Sequence, residues 1–571
     1  MLKIKTNSRN QLILSAKLTA EVMAFYDDFP SFKKYNGRDL IIRQTGANIE
    51  HLTSFDGDFE YETDEAKLVV ETFLTKKEEE AKLLMQRDVL NNSYELKTDF
   101  EFARSPMKHQ VEAFLLSRDK EYFALFHEQG LGKTKTTIDS AVYLYEKELI
   151  NCLVVIAHPN GLHRNWTDYE IPEDVPKRID YSCFAWSSKF GKKRKELMYE
   201  MIESKGSEFK IFAFNVEAFS SDKARKPLLD ILKQNQCMLV IDQSASIKNS
   251  QAKRTKFLVK DAANFAKYKR ILDGSPLAEN PSELYSQFMF LNQDIIGHDT
   301  WTGFKNEFCT IGRFNEISGY RNIERLMSRI QPYLHRALEE ECLDLPKRIY
   351  KTFCYDLSPT EMKIYEELRV SKFTLFEGDA IDAPLPIVKS IRMQQVTSGW
   401  FSGQDSFRSI EETPTRVKAL KDLISTFGED EKVLIFSRFK ADMKVIKEAL
   451  GDDCVDYYGD TEQEQREINK REYQQGKARF LVGNQTTMGI GHTFTATKHV
   501  IFYANSHALR ARIESEKRAH RKGQEKQVIV WDLIANNTQD KKIRDTLRNK
   551  KQVADIIMGD PDSFFMGDAN D

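Results

Sequence analysis

The sequence lacks several features that would place it in other protein classes. None of its apolar runs reaches the roughly 18 residues that a membrane-spanning helix needs, and its first residues, MLKIKTNSRN, lack the apolar core of a secretory signal. Its seven cysteines occur singly, without a C-x-x-C pair, which indicates reduced thiols and no zinc site. We therefore expect a cytoplasmic protein that has no contact with a membrane. We also expect a monomer, and the sequence identifies no protein partner.

The chain also lacks a large net charge. Its formal net charge is −2, with 30% charged and 41% hydrophobic residues, as in soluble globular proteins. Because no global field attracts nucleic acid, any DNA site must be a local basic surface. A chain of 571 residues is too long for one core, so several domains are expected.

Two stretches of the chain alternate short apolar strands with helices. Cys152–Ala157 is one such strand in the first stretch, residues 101–285, and Lys432–Ser437 is one in the second, residues 411–557. Strands that are short and continuously apolar indicate parallel sheets covered on both faces. The segment between them, residues 286–410, is more helical and aromatic, and we expect a helical insertion or linker there.

The two ends of the chain have other patterns. Ile13–Phe25 has helical spacing, Leu40–Arg43 is strand-like and Thr63–Leu90 reads as a long charged helix, so residues 1–100 predict a small α+β domain. The tail, Met558–Asp571, is rich in Gly and Asp, and we expect it to be disordered.

A glycine-rich loop and an acidic strand end predict a nucleotide site. Gly130 and Gly132 let backbone N–H groups approach phosphate oxygens at the start of a helix. Lys133 would neutralise the β- and γ-phosphates, and the Thr134 hydroxyl would join the shell of Mg²⁺. Asp242 ends an apolar strand, where its carboxylate can hold the same ion. Together these residues predict an NTPase core.

Several further motifs follow one another in an order that is typical of one family. The family patterns are D-E-M-G-L-G-K-T, C-P-x-x-L-x-x-N-W, D-E-A-H-x-I-K-N, L-T-G-T/S-P, a glycine pair in the second lobe, and R-A-H-R-x-G-Q. They correspond to His127–Thr134, His158–Trp166, Asp242–Asn249, Leu272–Pro276, Thr487–Gly491 and Arg518–Gln524. The chain resembles the SWI/SNF-type branch of superfamily-two helicases, the chromatin-remodeller-like DNA translocases, over roughly residues 104–555.

The resemblance implies a fold, cofactors and an activity. It implies two tandem RecA-like lobes that use ATP and Mg²⁺ to move along double-stranded or branched DNA. Arg518 and Arg521 of the second lobe would reach the nucleotide and stabilise charge on the γ-phosphate. Gln110 would read the adenine edge, and Gly489 and Gly491 would complete the nucleotide site.

The resemblance also implies residues that contact DNA. A motor must move over any sequence, so these contacts should go mainly to phosphate and sugar. The implied residues are Asn160, Arg164, Trp166, Lys248, Asn249, Thr486 and Thr487. For Trp166, stacking on nucleic acid and packing in the core are both open. Ala24–Tyr35 looks like the HARP module of annealing helicases, with an unrelated substrate-recognition domain as the alternative.

Several positions depart from the family pattern, and in the last motif Glu514 and Lys517 replace the usual Gln and Asp. Gln243 stands where the family has a Glu that activates water, and an amide cannot accept a proton at neutral pH. We therefore expect this chain to bind ATP with Mg²⁺ and to hydrolyse it slowly. Asp273 replaces a Thr, and its carboxylate would either repel the γ-phosphate or bind a lysine.

The function predicted from the sequence is an ATP-dependent double-stranded DNA translocase or helicase. It would remodel branched DNA or protein–DNA complexes in replication, recombination or repair. An ATP-gated DNA clamp without motor activity and an RNA helicase are the alternatives.

Overall fold

The structure is a computed structural model that describes residues 1–571 except 92, 94–95, 159–161, 275–279, 314–316, 344, 372, 377–378, 383–385, 403–406, 489–493, 522 and 558–571. The tail that we predicted to be disordered lies outside the described residues. Contacts divide the chain into two compact units, Met1–Leu338 and Glu339–Ile556.

The first unit begins with a small α+β domain. Its five strands and three helices are β1 (Leu2–Thr6), β2 (Gln11–Ser15), α1 (Ala20–Asp27), β3 (Lys33–Asn36), β4 (Asp39–Arg43), α2 (Gly46–Thr53), β5 (Phe59–Tyr61) and α3 (Asp64–Asn91). The sheet order is β3-β4-β2-β1-β5. Alternate strand residues such as Leu2, Ile4, Leu12 and Leu14 are fully buried, as expected for a sheet with one face in a core.

One local prediction in this domain is wrong. Ile13–Phe25 is not one helix, because Gln11–Ser15 pairs antiparallel with both β1 and β4. The helix begins only at Ala20, after the Thr19 side chain accepts a hydrogen bond from the Val22 N–H. The long charged helix is confirmed as α3.

The rest of the first unit is built on a seven-stranded sheet, with a separate two-stranded hairpin beside it. The strands in chain order are β6 (Tyr122–His127), β7 (Cys152–Ala157), β8 (Tyr181–Ala185), β9 (Phe209–Asn215), β10 (Cys237–Asp242), β11 (Tyr268–Leu272), the hairpin strands β12 (Cys309–Ile311) and β13 (Ile317–Tyr320), and β14 (Leu334–Ala337). The order of the large sheet is β14-β6-β11-β10-β7-β9-β8, and every neighbouring pair in it is parallel.

Helices connect and follow these strands. They are α4 (Lys108–Ser117), α5 (Lys133–Glu146), α6 (Leu162–Asn165), α7 (Ile171–Asp174), α8 (Lys192–Glu203), α9 (Asp222–Gln234), α10 (Lys253–Lys256), α11 (Leu284–Leu291), α12 (Gln293–Ile296), α13 (Trp301–Phe308) and α14 (Ile323–Ile330). A π-helix, Trp166–Glu170, joins α6 to α7.

The second unit has a six-stranded sheet. Its strands are β15 (Ile349–Tyr355), the hairpin pairs β16 (Phe373–Phe376) with β17 (Asp379–Asp382) and β18 (Trp400–Ser402) with β19 (Phe407–Ser409), then β20 (Lys432–Ser437), β21 (Cys454–Tyr457), β22 (Phe480–Asn484), β23 (Thr497–Phe502) and β24 (Ile529–Ala535). The sheet order is β15-β24-β23-β20-β22-β21, again with parallel neighbours.

The helices of this unit are α15 (Glu339–Cys342), α16 (Pro359–Ser371), α17 (Pro386–Thr397), α18 (Thr415–Ser425), α19 (Lys440–Leu450), α20 (Gln463–Gln474), α21 (Gln485–Met488), α22 (Leu509–Ala519) and α23 (Gln539–Ile557). The predicted fold class, two parallel-sheet lobes with a small N-terminal α+β domain, is confirmed. Across the described ranges, no helix combines the length and the apolar character that crossing a bilayer requires.

The expected insertion at residues 286–410 does not form a body of its own. Leu334–Ala337 pairs with β6 and completes the first sheet, whereas Ile349–Tyr355 pairs with β24 in the second. The chain therefore passes from one unit to the other near residue 338. These strands were missed because their polar residues, such as His335 and Arg336 or Lys351 and Thr352, interrupt the apolar runs that mark buried strands.

Candidate nucleotide and DNA site

The phosphate loop lies between the end of β6 and the start of α5. Gly130 has φ 85° and Gly132 has φ 75°, a left-handed conformation that residues with a side chain adopt at a cost. Gly132 is also the N-cap residue of α5. The loop therefore presents backbone N–H groups at a helix N-terminus, which is the geometry that binds phosphate.

The Lys133 side chain is hydrogen-bonded to the first residues of this loop. Its Nζ donates to the carbonyl oxygens of His127 at 2.7 Å and Glu128 at 3.1 Å. These contacts orient the ammonium group along the loop. Thr134 follows in the first turn of α5 and is half-buried.

The Gln110 side chain packs against the phosphate loop. Its Nε2 donates to the Leu131 carbonyl oxygen at 3.2 Å, and its Oε1 accepts from the Met107 N–H at 3.0 Å. A Cβ at position 132 would lie 2.2 Å from Gln110 Nε2. Gln110 thus packs directly against Gly132, and its predicted contact with adenine stays a prediction.

Asp242 lies at the carboxyl end of β10, one strand removed from β6 across β11. Its Oδ2 accepts a hydrogen bond from the Trp166 indole Nε1 at 3.0 Å. Burial raises the pKa of Asp242, and the charge of Asp273 adds to this, while the Trp166 bond and the Lys133 charge oppose it. The carboxylate therefore depends on its donors and on nearby positive charge to stay ionised.

The groups at this edge of the sheet fit a magnesium nucleotide. The Thr134 hydroxyl and the Asp242 carboxylate are hard oxygen ligands of the kind that Mg²⁺ prefers. The left-handed glycines leave a cradle of N–H groups for phosphate, and the Lys133 ammonium lies at that cradle. Thr134 and Asp242 are thus the residues that would hold the ion, and the ion would neutralise phosphate charge.

Gln243 has an unusual backbone. Its φ of 56° and ψ of 64° are left-handed, which is uncommon for a residue with a long side chain and is often seen at functional sites. The loop that follows is fixed by Asp273, whose Oδ2 accepts from the Ala245 N–H at 2.8 Å. Asp273 is fully buried. The sequence did not predict that its carboxylate would accept a hydrogen bond from the Ala245 N–H.

A buried histidine pair beside the loop was also missed. Nε2 of His127, at the end of β6, lies 2.9 Å from Nδ1 of His335 on β14, and one nitrogen donates to the other. His109 Nε2 is hydrogen-bonded to the Leu131 carbonyl oxygen at 2.8 Å. Burial lowers the pKa of His127 well below its usual value, so His127 is neutral at physiological pH. The sequence signal was His127 itself, which replaces the first residue of the family motif.

In the second unit, one predicted arginine, Arg518, lies in the last turn of α22, and the other, Arg521, follows the helix by two residues. Arg518 is 3% exposed and Arg521 is half-buried. Burial lowers the pKa of Arg518 to about 10, with a further lowering by Arg521 and an opposing effect of Glu514. Two guanidinium groups that repel one another in this way favour an anion between or beside them.

The predicted DNA residues fall into different environments. Arg164 and Asn249 are exposed, and Lys248 is bonded to Glu283 at 2.6 Å. Thr487 is half-buried, and its N–H donates to Asn484 Oδ1 at 3.0 Å.

The remaining predicted residues are buried or lie outside the described part of the chain. Trp166 is 2% exposed, so of its two readings the structure favours core packing, and stacking on a base would require it to leave the core. Asn160, Gly489 and Gly491 lie outside the described residues, as does the side chain of Thr486.

These units have the architecture of a P-loop protein with two parallel-sheet lobes. The family model described as "SNF2-related domain" matches residues 72–416, and the one described as "Helicase conserved C-terminal domain" matches residues 415–523. The first match spans more than half of the chain, and the chain belongs to the SNF2-related family.

Several curated relatives are similar over most of this chain. An "uncharacterized ATP-dependent helicase" of Mycoplasma pneumoniae is 24% identical over 84% of this chain and 44% of its own length. The "DNA annealing helicase and endonuclease ZRANB3" of Bos taurus is 26% identical over 78% and 40%. The "SWI/SNF chromatin-remodeling complex subunit snf22" of Schizosaccharomyces pombe is 25% identical over 73% and 26%. The chain thus spans less than half of the length of each of these relatives.

A solved structure titled "Sulfolobus solfataricus SWI2/SNF2 ATPase core in complex with dsDNA" is 21% identical and covers 82% of this chain and 96% of its own, with a TM-score of 0.37.

Proposed function

We propose that this chain is an ATP-dependent translocase or helicase that acts on double-stranded or branched DNA, and that Gln243 slows its hydrolysis of ATP. The proposal rests chiefly on one observation. The Lys133 ammonium and the Asp242 carboxylate lie at the same edge of the first sheet, where burial raises the pKa of Asp242 and the charge of Lys133 opposes that rise. Gln243 follows directly at the position of the water-activating residue.

Each group has a proposed task. The loop N–H groups and Lys133 bind the phosphates of ATP, and Thr134 and Asp242 hold Mg²⁺, which supplies positive charge to the phosphates. Arg518 and Arg521 stabilise charge on the γ-phosphate. Family membership and the printed names of relatives, "ATP-dependent helicase" and "DNA annealing helicase", support this assignment.

Gln243 limits the chemical step. Its amide can orient a water molecule but cannot take a proton from it, whereas a Glu can do both. General base catalysis contributes about 10²–10⁴-fold to a rate. The chain therefore binds ATP with Mg²⁺ and keeps it bound for long periods.

For DNA, exposed Arg164, Asn249 and the loop residues around them are the proposed phosphate contacts. The N-terminal domain is proposed as the substrate-recognition part. Its Glu50 is paired with Arg329 at 2.7 Å and with Arg325 at 3.1 Å, so it is tied to α14 of the same unit. Because these ion pairs join the N-terminal domain to the rest of the unit, DNA bound to this domain would be held in a defined position relative to the ATP-binding lobe.

The test compares ATP turnover of the chain and of Gln243→Glu with duplex DNA, forked DNA and RNA. We expect Gln243→Glu to hydrolyse ATP at least about 100-fold faster, with stimulation by duplex or forked DNA. Lys133→Ala in the Gln243→Glu background is the control, and it should abolish turnover. Equal rates for the unaltered chain and for Gln243→Glu would refute the proposed block.

The same panel separates the alternatives. An RNA helicase would be stimulated by RNA instead of duplex DNA. An ATP-gated clamp would bind DNA in an ATP-dependent way, yet neither the chain nor Gln243→Glu would move a triplex-forming strand off a duplex. Stimulation by duplex DNA together with strand displacement supports the translocase.

A further inference from the structure

The Trp166 indole occupies an unexpected place in the site. It lies in the core with Ile171 and Val175, and its Nε1 reaches Asp242 Oδ2 at 3.0 Å across 76 positions of sequence. An indole can only donate a hydrogen bond, and the Gln243 backbone N–H also donates to this carboxylate, so the two contacts together restrict its orientation. Partners of this kind orient a metal-binding carboxylate and tune its affinity.

The segment that carries Trp166 has an uncommon geometry. Trp166 begins the π-helix Trp166–Glu170, inserted between two short α-helical pieces. Single π turns inside helices are rare and occur frequently at functional sites. Conversion of a π turn to an α turn shifts the register by one residue and would rotate Trp166 relative to Asp242.

The two ends of this segment are fixed in different ways. At the far end, Arg104 holds Asp174 through two hydrogen bonds of 2.7 Å, and Asp174 is fully buried. At the near end, Arg164 is exposed two positions before Trp166. A phosphate bound at Arg164 would therefore act on the end of the segment that is nearest to Trp166.

We propose that Trp166 is a positioning residue that orients Asp242 toward the metal and transmits DNA binding at Arg164 to the nucleotide site. This rests on the proposed function, since it assumes that Asp242 holds Mg²⁺ and that Arg164 meets DNA. Trp166 touches neither DNA nor nucleotide. Its effect goes through the Asp242 carboxylate.

The test uses the full chain and measures binding, not turnover. The affinity of a fluorescent ATP analogue is titrated against Mg²⁺, with and without duplex DNA, for the chain, Trp166→Phe and Trp186→Phe. Trp186 is 9% exposed, lies in the same unit and stacks with Phe214, so its variant also loses a buried indole. We expect Trp166→Phe to require about 10–100-fold more Mg²⁺, with unchanged affinity in EDTA, and Trp186→Phe to behave as the parent.

A double-variant cycle shows whether the effect goes through the carboxylate. In an Asp242→Asn background, Trp166→Phe should change the Mg²⁺ requirement no further. An equal loss in both backgrounds, or a loss that also occurs in EDTA, would overturn the positioning role. If DNA shifts nucleotide affinity in the parent and by the same factor in Trp166→Phe, the transmission is wrong while the proposed function stands. If duplex DNA does not bind the parent at all, the proposed function itself fails.

A second measurement does not require Trp166→Phe to fold. The chain has five tryptophans and thus five indole N–H signals in a ¹⁵N-labelled sample. Phe variants at the other four positions identify the Trp166 signal by elimination. We expect it to shift when Mg²⁺ with ADP is added and again with duplex DNA, and an unmoved signal in saturated samples would refute the inference.

Discussion

Replacing Gly132 with Ala tests how the phosphate loop is held. The added Cβ would lie 2.2 Å from Gln110 Nε2, so the Gln110 amide must move away. Movement breaks its bonds to the Leu131 carbonyl and the Met107 N–H, at about 1 kcal/mol each. The left-handed φ of 75° adds about 1–2 kcal/mol for a residue with a Cβ. We expect a total loss of about 3–4 kcal/mol in the stability of the loop region.

Gly37→Ala is the matched control for strain alone. Gly37 has φ 64° and belongs to the same unit, but a Cβ there would meet nothing within 4 Å. We expect it to lose only the strain of about 1–2 kcal/mol. The double variant Gln110→Ala/Gly132→Ala should lose no more than Gly132→Ala, because the contact is already broken.

Hydrogen–deuterium exchange measures these losses, since it reports local opening and resolves the first unit from the second. ADP affinity of each variant gives the functional consequence, and we expect it to fall for Gly132→Ala and to be unchanged for Gly37→Ala. Equal losses of protection in Gly132→Ala and Gly37→Ala would mean that the Gln110 contact does not hold the loop. That result would refute the reasoning.

Two further predictions concern buried charge. Arg512 lies over the Phe502 ring and forms ion pairs of 2.5 Å with Asp532 and Glu516. Arg512→Met would leave these two buried carboxylates without their guanidinium partner, and we expect it to lower the free energy of unfolding in urea by about 3–5 kcal/mol. A loss below about 1 kcal/mol would contradict this. In the first unit, burial would raise the pKa of Glu307, but the bond from His298 and the charge of Arg329 lower it from 4.5 to about 2. The stability that this carboxylate contributes is present above pH 4.5 and is lost as the pH falls toward 2. The free energy of unfolding of Glu307→Gln should therefore fall less steeply over that range than that of the unaltered chain. Identical dependence of the two unfolding free energies on pH would contradict the assignment.

The sequence predicted the parts of the fold in which local pattern and tertiary role coincide. Cys152–Ala157 and Lys432–Ser437 are apolar at nearly every position because both faces of their sheets are covered, and their bounds agree with the structure. β14 escaped prediction because it is a four-residue edge strand with two polar residues, and its place is decided by pairing with β6. The second half of β2, Ile13–Ser15, was read as the start of a helix because its adjacent apolar residues suit either structure.

The site divides in the same way. Gly130, Gly132 and Lys133 were predicted because their roles belong to the local backbone of one loop. The bond from Trp166 to Asp242 was not, because it depends on a π turn and on the relative placement of two strands. The Asp273 bond to the Ala245 N–H likewise joins two loops that only the folded sheet brings together.

The pairing of β14 with β6 has a consequence for how the protein is made. The strand that leads into the phosphate loop is flanked on one side by residues 334–337, and the Glu128 N–H is satisfied by the Ala337 carbonyl oxygen at 2.9 Å. A ribosome adds about 5–20 residues per second, so the roughly 200 residues between β6 and β14 take about 10–40 s to synthesise. Until then, β6 has no hydrogen-bonding partner on this side. During that interval the unprotected edge of β6 is open to wrong partners. The sheet of the first unit is thus complete only after β14, the last of its strands in chain order, has been synthesised.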